Sequence, residues 1–211
     1  MAIVQSLNPS GDIGEVFGHR HGKKPLVIGI GGTLRAGSSS EQALRIALSS
    51  AEKAGAVTRA FVGADLDFEM YPLERPERSA KAIEFIQAIR MADAVIVSSP
   101  GYHGSVSGLI KNALDYLEDL RTDERPYLDG RAVGCIVCAA GWQATGSTLA
   151  ALRSIAHALR GWPSPFGATI NTLDAVFVGG ECVNAGVLSS LELVGRQVTE
   201  FARKNSVALT R

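Results

Sequence analysis

Short apolar segments alternate with longer segments of helical period from residue 25 onward. We predict strands in the apolar segments, at 26–30, 57–62, 94–98, 132–138 and 168–171. The helices predicted between and after them cover 40–54, 79–91, 107–120, 146–159 and 187–204. Residues 1–24 lack such a period, so we expect a flexible N-terminal arm followed by a single domain at residues 25–206.

The segment 107–120 shows the helical period most clearly. Its apolar positions, with the residue before it, recur at spacings of four, three and one and are expected to face the core. These positions are Val106, Ile110, Ala113, Leu114 and Leu117. The polar positions expected to face away from the core are Lys111, Asn112, Asp115 and Glu118.

Two of the predicted strands contain no polar alternation. The segments AVIV at 94–97 and AVGCIVC at 132–138 are apolar throughout, so both faces of their sheet must be covered. Together with the strand and helix alternation, this predicts an α/β domain with a doubly wound, five-stranded parallel sheet and helices on both faces. Ligands bind beyond the carboxyl ends of the strands in such sheets, which selects the loops after the first, third and fourth strands.

Composition narrows the choice of partner. The 211 residues include 21 Lys and Arg and 21 Asp and Glu, so no broad field attracts nucleic acid or an anionic membrane. We therefore expect a small-molecule partner. No apolar run approaches the ~20 residues that span a bilayer, and the first residues lack the order of a signal peptide, which favours a cytoplasmic location.

The spacing of Cys135 and Cys138 is that of a redox or metal-binding pair. Both cysteines lie in a predicted strand, where residues three apart point to opposite faces of the sheet. A zinc site would also need a second pair of ligands, and none has a similar spacing. We predict that both thiols pack in the core and that the chain has no metal site.

The first candidate loop, GGTLRAGSSS, lacks two known nucleotide signatures. Ser38 stands where a phosphate-binding loop of nucleoside triphosphatases has lysine, and Leu34 stands where the dinucleotide fingerprint has its third glycine. The hydroxyls of residues 33 and 38–40, the guanidinium of Arg35 and the amides at a helix start suit a single phosphate group. An ordinary capping box of Ser38 and Glu41 is the open alternative.

The second loop, SPGYHGS, is predicted to turn at Pro100 and Gly101. Gly104 would let the backbone approach a flat ligand closely. We expect His103 to contact a ligand rather than to act in catalysis, while Tyr102 suits either ligand contact or packing.

The third loop, AAGWQATGS, precedes a helix that we expect to be capped near Thr145 or Ser147. It presents Gly141 and Trp142 at the edge of the sheet. The indole either stacks near a planar cofactor or supports the loop, and both interpretations stay open.

Two motifs in this order resemble those of a known family. The pattern G-S-x-R-x-x-S is matched by Gly32, Thr33, Arg35 and Ser38, with threonine in place of serine. The pattern P-x-Y-x-x-S, followed by G-x-x-K-N, is matched by Pro100, Tyr102, Ser105, Gly108, Lys111 and Asn112. Over residues 25–170 the chain resembles the flavodoxin-like NAD(P)H-dependent FMN reductases, which include quinone, chromate and azo-dye reductases.

The resemblance implies a flavodoxin-like fold and an FMN site. It implies that the first loop binds the phosphate, that residues 100–105 line the isoalloxazine ring and that the third loop follows the pyrimidine edge. The implied cofactor-binding residues are Thr33, Arg35, Ser38, Ser40, Pro100, Gly101, Tyr102, His103, Gly104, Ser105, Gly141 and Trp142. Four positions depart from common family residues: Ser40 from asparagine, Gly101 from glutamate, Ser107 from proline, and the single Gly141 from a glycine pair.

The resemblance also implies a reaction. A hydride passes from NADPH or NADH to N5 of FMN, whose electrons then pass to an acceptor, and no catalytic side chain is expected. An FMN-bound quinone reductase, a flavodoxin-like electron carrier and a module with a vestigial pocket are the alternatives; carriers tend to be acidic, whereas this chain is neutral. The implied partners are a small-molecule electron acceptor, a flavin-dependent monooxygenase and further copies of the chain in a homodimer or homotetramer.

Overall fold

The apolar segments predicted to be strands form the central sheet of the protein. This is seen in a computed structural model, which describes residues 24–208. The strands are β1 (Leu26–Gly31), β2 (Val57–Val62), β3 (Ala94–Tyr102), β4 (Ser105–Val106), β5 (Ala132–Ala139), β6 (Trp162–Pro163), β7 (Ala168–Asn171), β8 (Phe177–Val178) and β9 (Glu181–Cys182). The helices are α1 (Ser39–Lys53), α2 (Ala80–Met91), α3 (Gly108–Asp115), α4 (Trp142–Ala158) and α5 (Ala185–Ala208). Apart from Lys24, the predicted N-terminal arm lies outside the described residues.

The order of the strands confirms the predicted doubly wound sheet. Strands β2, β1, β3 and β5 are adjacent in this order and parallel. The fifth position is divided between two short strands, because β6 pairs with the start of β5 and β7 pairs with its end. The chain therefore builds outward from β1 in one direction and then in the other, with the reversal between β1 and β3.

Both faces of the sheet are buried, as the apolar strands predict. Helices α2, α3 and α4 pack on one face, around Phe85, Ile110 and Leu152. Helices α1 and α5 pack on the other, around Leu44 and Val194. None of the helices within residues 24–208 is long and apolar enough to cross a membrane.

The two spaced cysteines lie in different cores, which confirms the strand-based interpretation. Cys135 belongs to the core beneath α2, α3 and α4, and Cys138 to the core beneath α1 and α5. Burial raises the pKa of each thiol to about 12, so both remain protonated near neutral pH. Within the described part of the chain, no group of three or more His, Cys, Asp or Glu residues could hold a metal ion.

The predicted third helix differs from expectation in its end and in one side chain. Helix α3 stops at Asp115 and continues as a 3₁₀ turn at Tyr116–Leu120. Asn112, predicted to face away from the core, is only 4% exposed. Its amide donates to the carbonyl of Glu69 at 3.0 Å and its Oδ1 accepts the N–H of Tyr71 at 2.9 Å. The segment 67–79 covers this face of the helix, and the helical period alone could not show that.

A second polar cluster fastens the same segment to the 3₁₀ turn. Arg78 donates to both oxygens of Asp119, at 2.7 and 2.8 Å, and Tyr71 Oη donates to Asp119 Oδ1 at 2.8 Å. Burial acts to raise the pKa of Asp119, but these hydrogen bonds and the Arg78 charge outweigh it and leave the pKa below its usual value. The carboxylate therefore stabilises the folded chain while it is ionised.

Helices α1 and α5 approach each other closely at Gly195. A Cβ on this residue would lie 2.1 Å from the carbonyl oxygen of Ala47, far inside contact distance. A hydrogen bond from Ser50 Oγ to the carbonyl of Glu192, at 2.8 Å, joins the two helices beside this point. Glycine is thus required here by the helix packing.

Replacing Gly195 with alanine should force the two helices apart. We expect Gly195→Ala to lower the free energy of unfolding by about 1–3 kcal/mol, the usual cost of overpacking. Gly146→Ala is the matched control, because a Cβ there meets nothing within 4 Å in helix α4. The control should raise stability by about 1 kcal/mol through helix propensity. Equal urea-unfolding midpoints for the two variants would contradict the packing account.

The Asp119 cluster makes a pH-dependent contribution. Because the pKa is lowered in the folded chain, its stabilisation is present above the unfolded value of ~3.9 and is lost as the pH falls through the folded value. Asp119→Asn should lower the free energy of unfolding by about 1.5–3 kcal/mol at pH 7, and the difference from wild type should shrink below about pH 4.

The matched control for this variant is Asp115→Asn. The Asp115 carboxylate pairs with Lys111 on the surface, where both side chains are over 40% exposed. We expect a change of about 0–0.5 kcal/mol at any pH. A difference between wild type and Asp119→Asn that stays constant from neutral to acidic pH would contradict the linkage.

Candidate functional site

Three loops meet at the carboxyl edge of the sheet, where the strand order reverses. Strands β1 and β3 are neighbours there, and Gly31 pairs with Ser98. A Cβ on Gly31 would lie 2.9 Å from the carbonyl oxygen of Ser98, so the ends of the two strands are in close contact. This is the place at which ligands bind in doubly wound sheets, as the sequence predicts.

The first loop, residues 32–38, leads into helix α1. Ser38 is the N-cap, and its Oγ accepts the N–H of Glu41 at 3.4 Å. Ser40 Oγ lies 3.4 Å from Ser38 Oγ, and both serines are less than 5% exposed. Thr33 Oγ1 accepts the N–H of Arg35 at 3.2 Å. The four predicted phosphate residues therefore lie within one loop and the first turn of one helix.

The alternative capping box is only half formed. Ser38 caps Glu41, but the Glu41 carboxylate accepts the N–H of Gly37, at 2.9 Å, instead of that of Ser38. The N–H of Ser38 therefore has no acceptor among residues 24–208, and the N–H groups of residues 39 and 40 have none there because they are the first in the helix. The exposed Arg35 guanidinium also has no partner in this part of the chain.

The donors of the first loop fit a phosphate group. Unpaired N–H groups at a helix N-terminus carry a partial positive charge and point toward an anion at that end. A free guanidinium adds a full charge and a planar pair of donors. Of the predicted hydroxyls, that of Thr33 is the more open, whereas Ser40 is enclosed, with its carbonyl bound to Ser98 Oγ at 2.8 Å.

The second loop turns at different residues from those predicted. Pro100 and Gly101 continue strand β3, which pairs with β4 in an antiparallel hairpin. His103 and Gly104 form the two-residue turn, with φ values of +51° and +84°. A positive φ at both positions is typical of a type I′ hairpin turn. His-Gly after a strand is similar to the Asn-Gly signal for such turns and could have indicated it.

Gly101 is required by the packing of the hairpin on helix α4. A Cβ on Gly101 would lie 2.8 Å from Thr148 Oγ1 and 2.9 Å from the Cβ of Ala139. Thr148 Oγ1 also donates to the carbonyl of Ser105 at 3.3 Å. A larger residue, such as the glutamate common in the resembled family, does not fit this packing. Pro100 is buried, whereas residues 102–105 are exposed at the tip of the hairpin.

The third loop is shorter than predicted, because helix α4 begins at Trp142, not at residue 146 or a cap near Thr145 or Ser147. Gly141 is the N-cap, at a φ of +104°, and its N–H donates to Asn171 Oδ1 at 2.9 Å. The N–H groups of residues 142–144 have no acceptor within residues 24–208. A second helix N-terminus therefore faces the carboxyl edge.

Asn171 is a residue that the sequence analysis missed. At the end of β7, its Oδ1 accepts the N–H of Gly141 and also that of Leu173, at 3.1 Å. It thereby joins the loops that follow β5 and β7. An asparagine directly after an apolar strand is the available signal, but only the strand order places that residue beside Gly141.

Large apolar side chains are exposed in or directly beside the loops that follow β1, β3, β5 and β7. They are Leu34 at 64% exposure, Tyr102 at 53%, Trp142 at 63% and Leu173 at 72%. The exposure of Trp142 argues against the interpretation that its indole supports the loop. Exposed aromatic groups beside N–H donors suit a planar ligand that carries a phosphate.

Comparison with known proteins points to one family. The sequence profile described as NADPH-dependent FMN reductase matches residues 25–172. An NAD(P)H-dependent FMN reductase of Pseudomonas aeruginosa is 33% identical over 118 residues, which cover 54% of this chain and 60% of that protein. An NADPH azoreductase of a Bacillus species is 35% identical over 66 residues, which cover 29% of this chain and 37% of that protein.

Solved structures show the same fold. A flavoenzyme NAD(P)H:acceptor oxidoreductase from Paracoccus denitrificans has a TM-score of 0.65 at 19% identity, covering 86% of this chain and 98% of that one. A flavodoxin, WrbA-like protein from Agrobacterium tumefaciens has a TM-score of 0.61 at 17% identity, covering 86% of this chain and 99% of that one. At these identities the likeness concerns the fold alone, and it agrees with the predicted flavodoxin-like architecture. The chain spans between 37% and 60% of the length of the two curated relatives described above.

The turn geometry at His103 predicts how substitutions affect stability. Asparagine tolerates the left-handed region, whereas a β-branched residue is strained there. We expect His103→Asn to leave the free energy of unfolding unchanged or slightly higher, and His103→Val to lower it by about 1–2 kcal/mol. Urea unfolding of the two variants measures the difference. A valine variant as stable as the asparagine variant would show that residue 103 does not hold a positive φ.

Proposed function

Because the chain belongs to the NADPH-dependent FMN reductase family, we propose that it binds FMN at the three loops and reduces it with NADPH or NADH. When bound, FMN supplies the redox chemistry, taking a hydride from the nicotinamide and passing electrons to an acceptor. The observation that carries this proposal is the first loop, where free amides of residues 38–40 and the unpaired Arg35 match a phosphate group.

The residues of the chain act by binding and orientation. Arg35 and the start of helix α1 hold the phosphate, which fixes one end of the ligand. The hairpin of residues 100–106 and the side chain of Trp142 would line the planar part, where the exposed rings of Tyr102 and Trp142 would shield it from water. The N-terminus of helix α4 would offer N–H donors and a partial positive charge, which stabilise negative charge on a reduced flavin.

This assignment gives no side chain a catalytic role. Cys135 and Cys138 are buried and protonated, so neither serves as a thiolate. His103 belongs to the hairpin turn, where we propose that it contacts ligand. The rate then depends on how closely the nicotinamide and the flavin ring are held together.

The proposal includes the wider role of the chain. A small-molecule acceptor follows from the neutral charge balance of 21 basic and 21 acidic residues, and that balance also disfavours a dedicated acidic electron carrier. The proposed activity has two forms. In one, the chain retains FMN and reduces a quinone; in the other, it transfers reduced FMN to a monooxygenase. We also propose a cytoplasmic location. We propose in addition that the chain forms a homodimer or homotetramer, and self-association is supported by two large apolar side chains, Met70 and Leu73, that are each 75% exposed.

Stopped-flow mixing of the FMN-loaded protein with NADPH tests the proposed activity. We expect rapid loss of oxidised-flavin absorbance, and its return when quinone or oxygen is added. A protein that binds FMN but is not reduced by NADPH or NADH would be a carrier. A protein that fails to bind FMN would be a module without flavin chemistry, and either result would overturn the proposal.

The phosphate role of Arg35 has its own test. We expect Arg35→Ala to weaken FMN binding by about 1–3 kcal/mol, since a charge-assisted hydrogen bond is lost, and to leave riboflavin binding nearly unchanged. Flavin fluorescence titration of the apoprotein measures both ligands. Arg196→Ala, on the exposed surface of helix α5, is the control and should affect neither. Equal losses for FMN and riboflavin would refute the phosphate role.

A further inference from the structure

A largely buried carboxylate lies against the proposed phosphate loop. Glu41, in the first turn of helix α1, is only 9% exposed. The Cβ of Glu41 packs against the loop, since a Cβ on Gly32 would lie only 3.3 Å from it. An acidic group at a site that binds an anion opposes binding through charge repulsion, unless another group offsets it.

Both oxygens of this carboxylate have partners. Oε2 accepts the N–H of Gly37 at 2.9 Å, which fixes the loop one residue before the helix cap. Oε1 accepts two hydrogen bonds from Arg45, from Nε at 3.0 Å and from the terminal nitrogen at 2.8 Å. Arg45 lies one helical turn further along α1, with its side chain 57% exposed.

We propose that Glu41 and Arg45 form a positioning pair for the phosphate loop. Glu41 holds Gly37, so that the free amides of residues 38–40 keep their direction before ligand arrives. Arg45 neutralises the Glu41 carboxylate, so that the loop presents a net positive field from Arg35 and the helix N-terminus. The inference rests on the proposed FMN function and adds two residues that the family motif does not include.

The pair predicts a specific pattern of binding. Arg45→Ala leaves Glu41 uncompensated beside the phosphate, so FMN binding should weaken roughly 10-fold while riboflavin binding changes little. Glu41→Gln retains an oxygen that can accept the Gly37 N–H but removes the charge. Added to Arg45→Ala, it should restore the FMN affinity to within about threefold of wild type.

Two further measurements separate positioning from general stability. Hydrogen exchange of the Gly37 amide should stay slow in Glu41→Gln and become fast in Glu41→Ala, because only the alanine variant lacks an acceptor. Arg196 and Glu200 form a matched Arg–Glu pair four residues apart on the exposed surface of helix α5. Arg196→Ala, alone or with Glu200→Gln, should change neither flavin affinity.

The affinities for FMN and riboflavin separate the proposed function from the positioning pair. Failure of the wild-type protein to prefer FMN over riboflavin would overturn the proposed function itself. A wild-type preference for FMN that Arg45→Ala leaves intact would overturn only the positioning pair. Equal loss of FMN and riboflavin in Arg45→Ala, with no recovery in the double variant, would also overturn it by assigning Arg45 a purely structural role.

Discussion

The burial of a parallel sheet on both faces is the constraint from which the rest of the structure follows. Each crossover helix must return antiparallel to the strands, so its N-terminus lies at the carboxyl edge of the sheet. The first N–H groups of a helix have no partner within the helix. Helices α1 and α4 both begin at this edge, where the N–H groups of residues 38–40 and 142–144 lack acceptors within residues 24–208. The fold thus creates two sets of donors before any ligand is considered.

The residues that flank these donors determine what they can bind. At α1, the self-capping of the helix is incomplete, since Glu41 accepts the N–H of Gly37 and not that of Ser38. At α4, Asn171 takes the N–H of Gly141 and again leaves the following ones free. In both places a side chain satisfies the donor just outside the helix. The donors of the first turn then remain available to an anion or to the polar edge of a ring.

The sequence predicted the architecture better than the details of the site. Periodicity identified the sheet, the two covered faces and the opposed thiols of Cys135 and Cys138, because each depends on local pattern. Periodicity placed Asn112 on the exposed face of its helix, but this residue faces the segment 67–79. A contact between residues distant in sequence does not affect the local hydrophobic period. The predicted start of α4 is also wrong, because the helix begins at Trp142. Its cap, Gly141, makes no side-chain hydrogen bond and is held through its N–H by Asn171, so no capping residue marks this start in the sequence. The predicted turn at Pro100 and Gly101 is wrong, because the two residues with positive φ that reverse the chain are His103 and Gly104.

The central claim is that the amides at the start of helix α1 bind the phosphate of FMN. Nuclear magnetic resonance titration of the apoprotein, with the amides of Ser38, Ser39 and Ser40 assigned, tests it most directly. The account predicts large shifts of these amide signals with FMN, smaller shifts of the same signals with inorganic phosphate, and almost none with riboflavin. Amide signals at residues 38–40 that stay unmoved while FMN saturates the protein would contradict it.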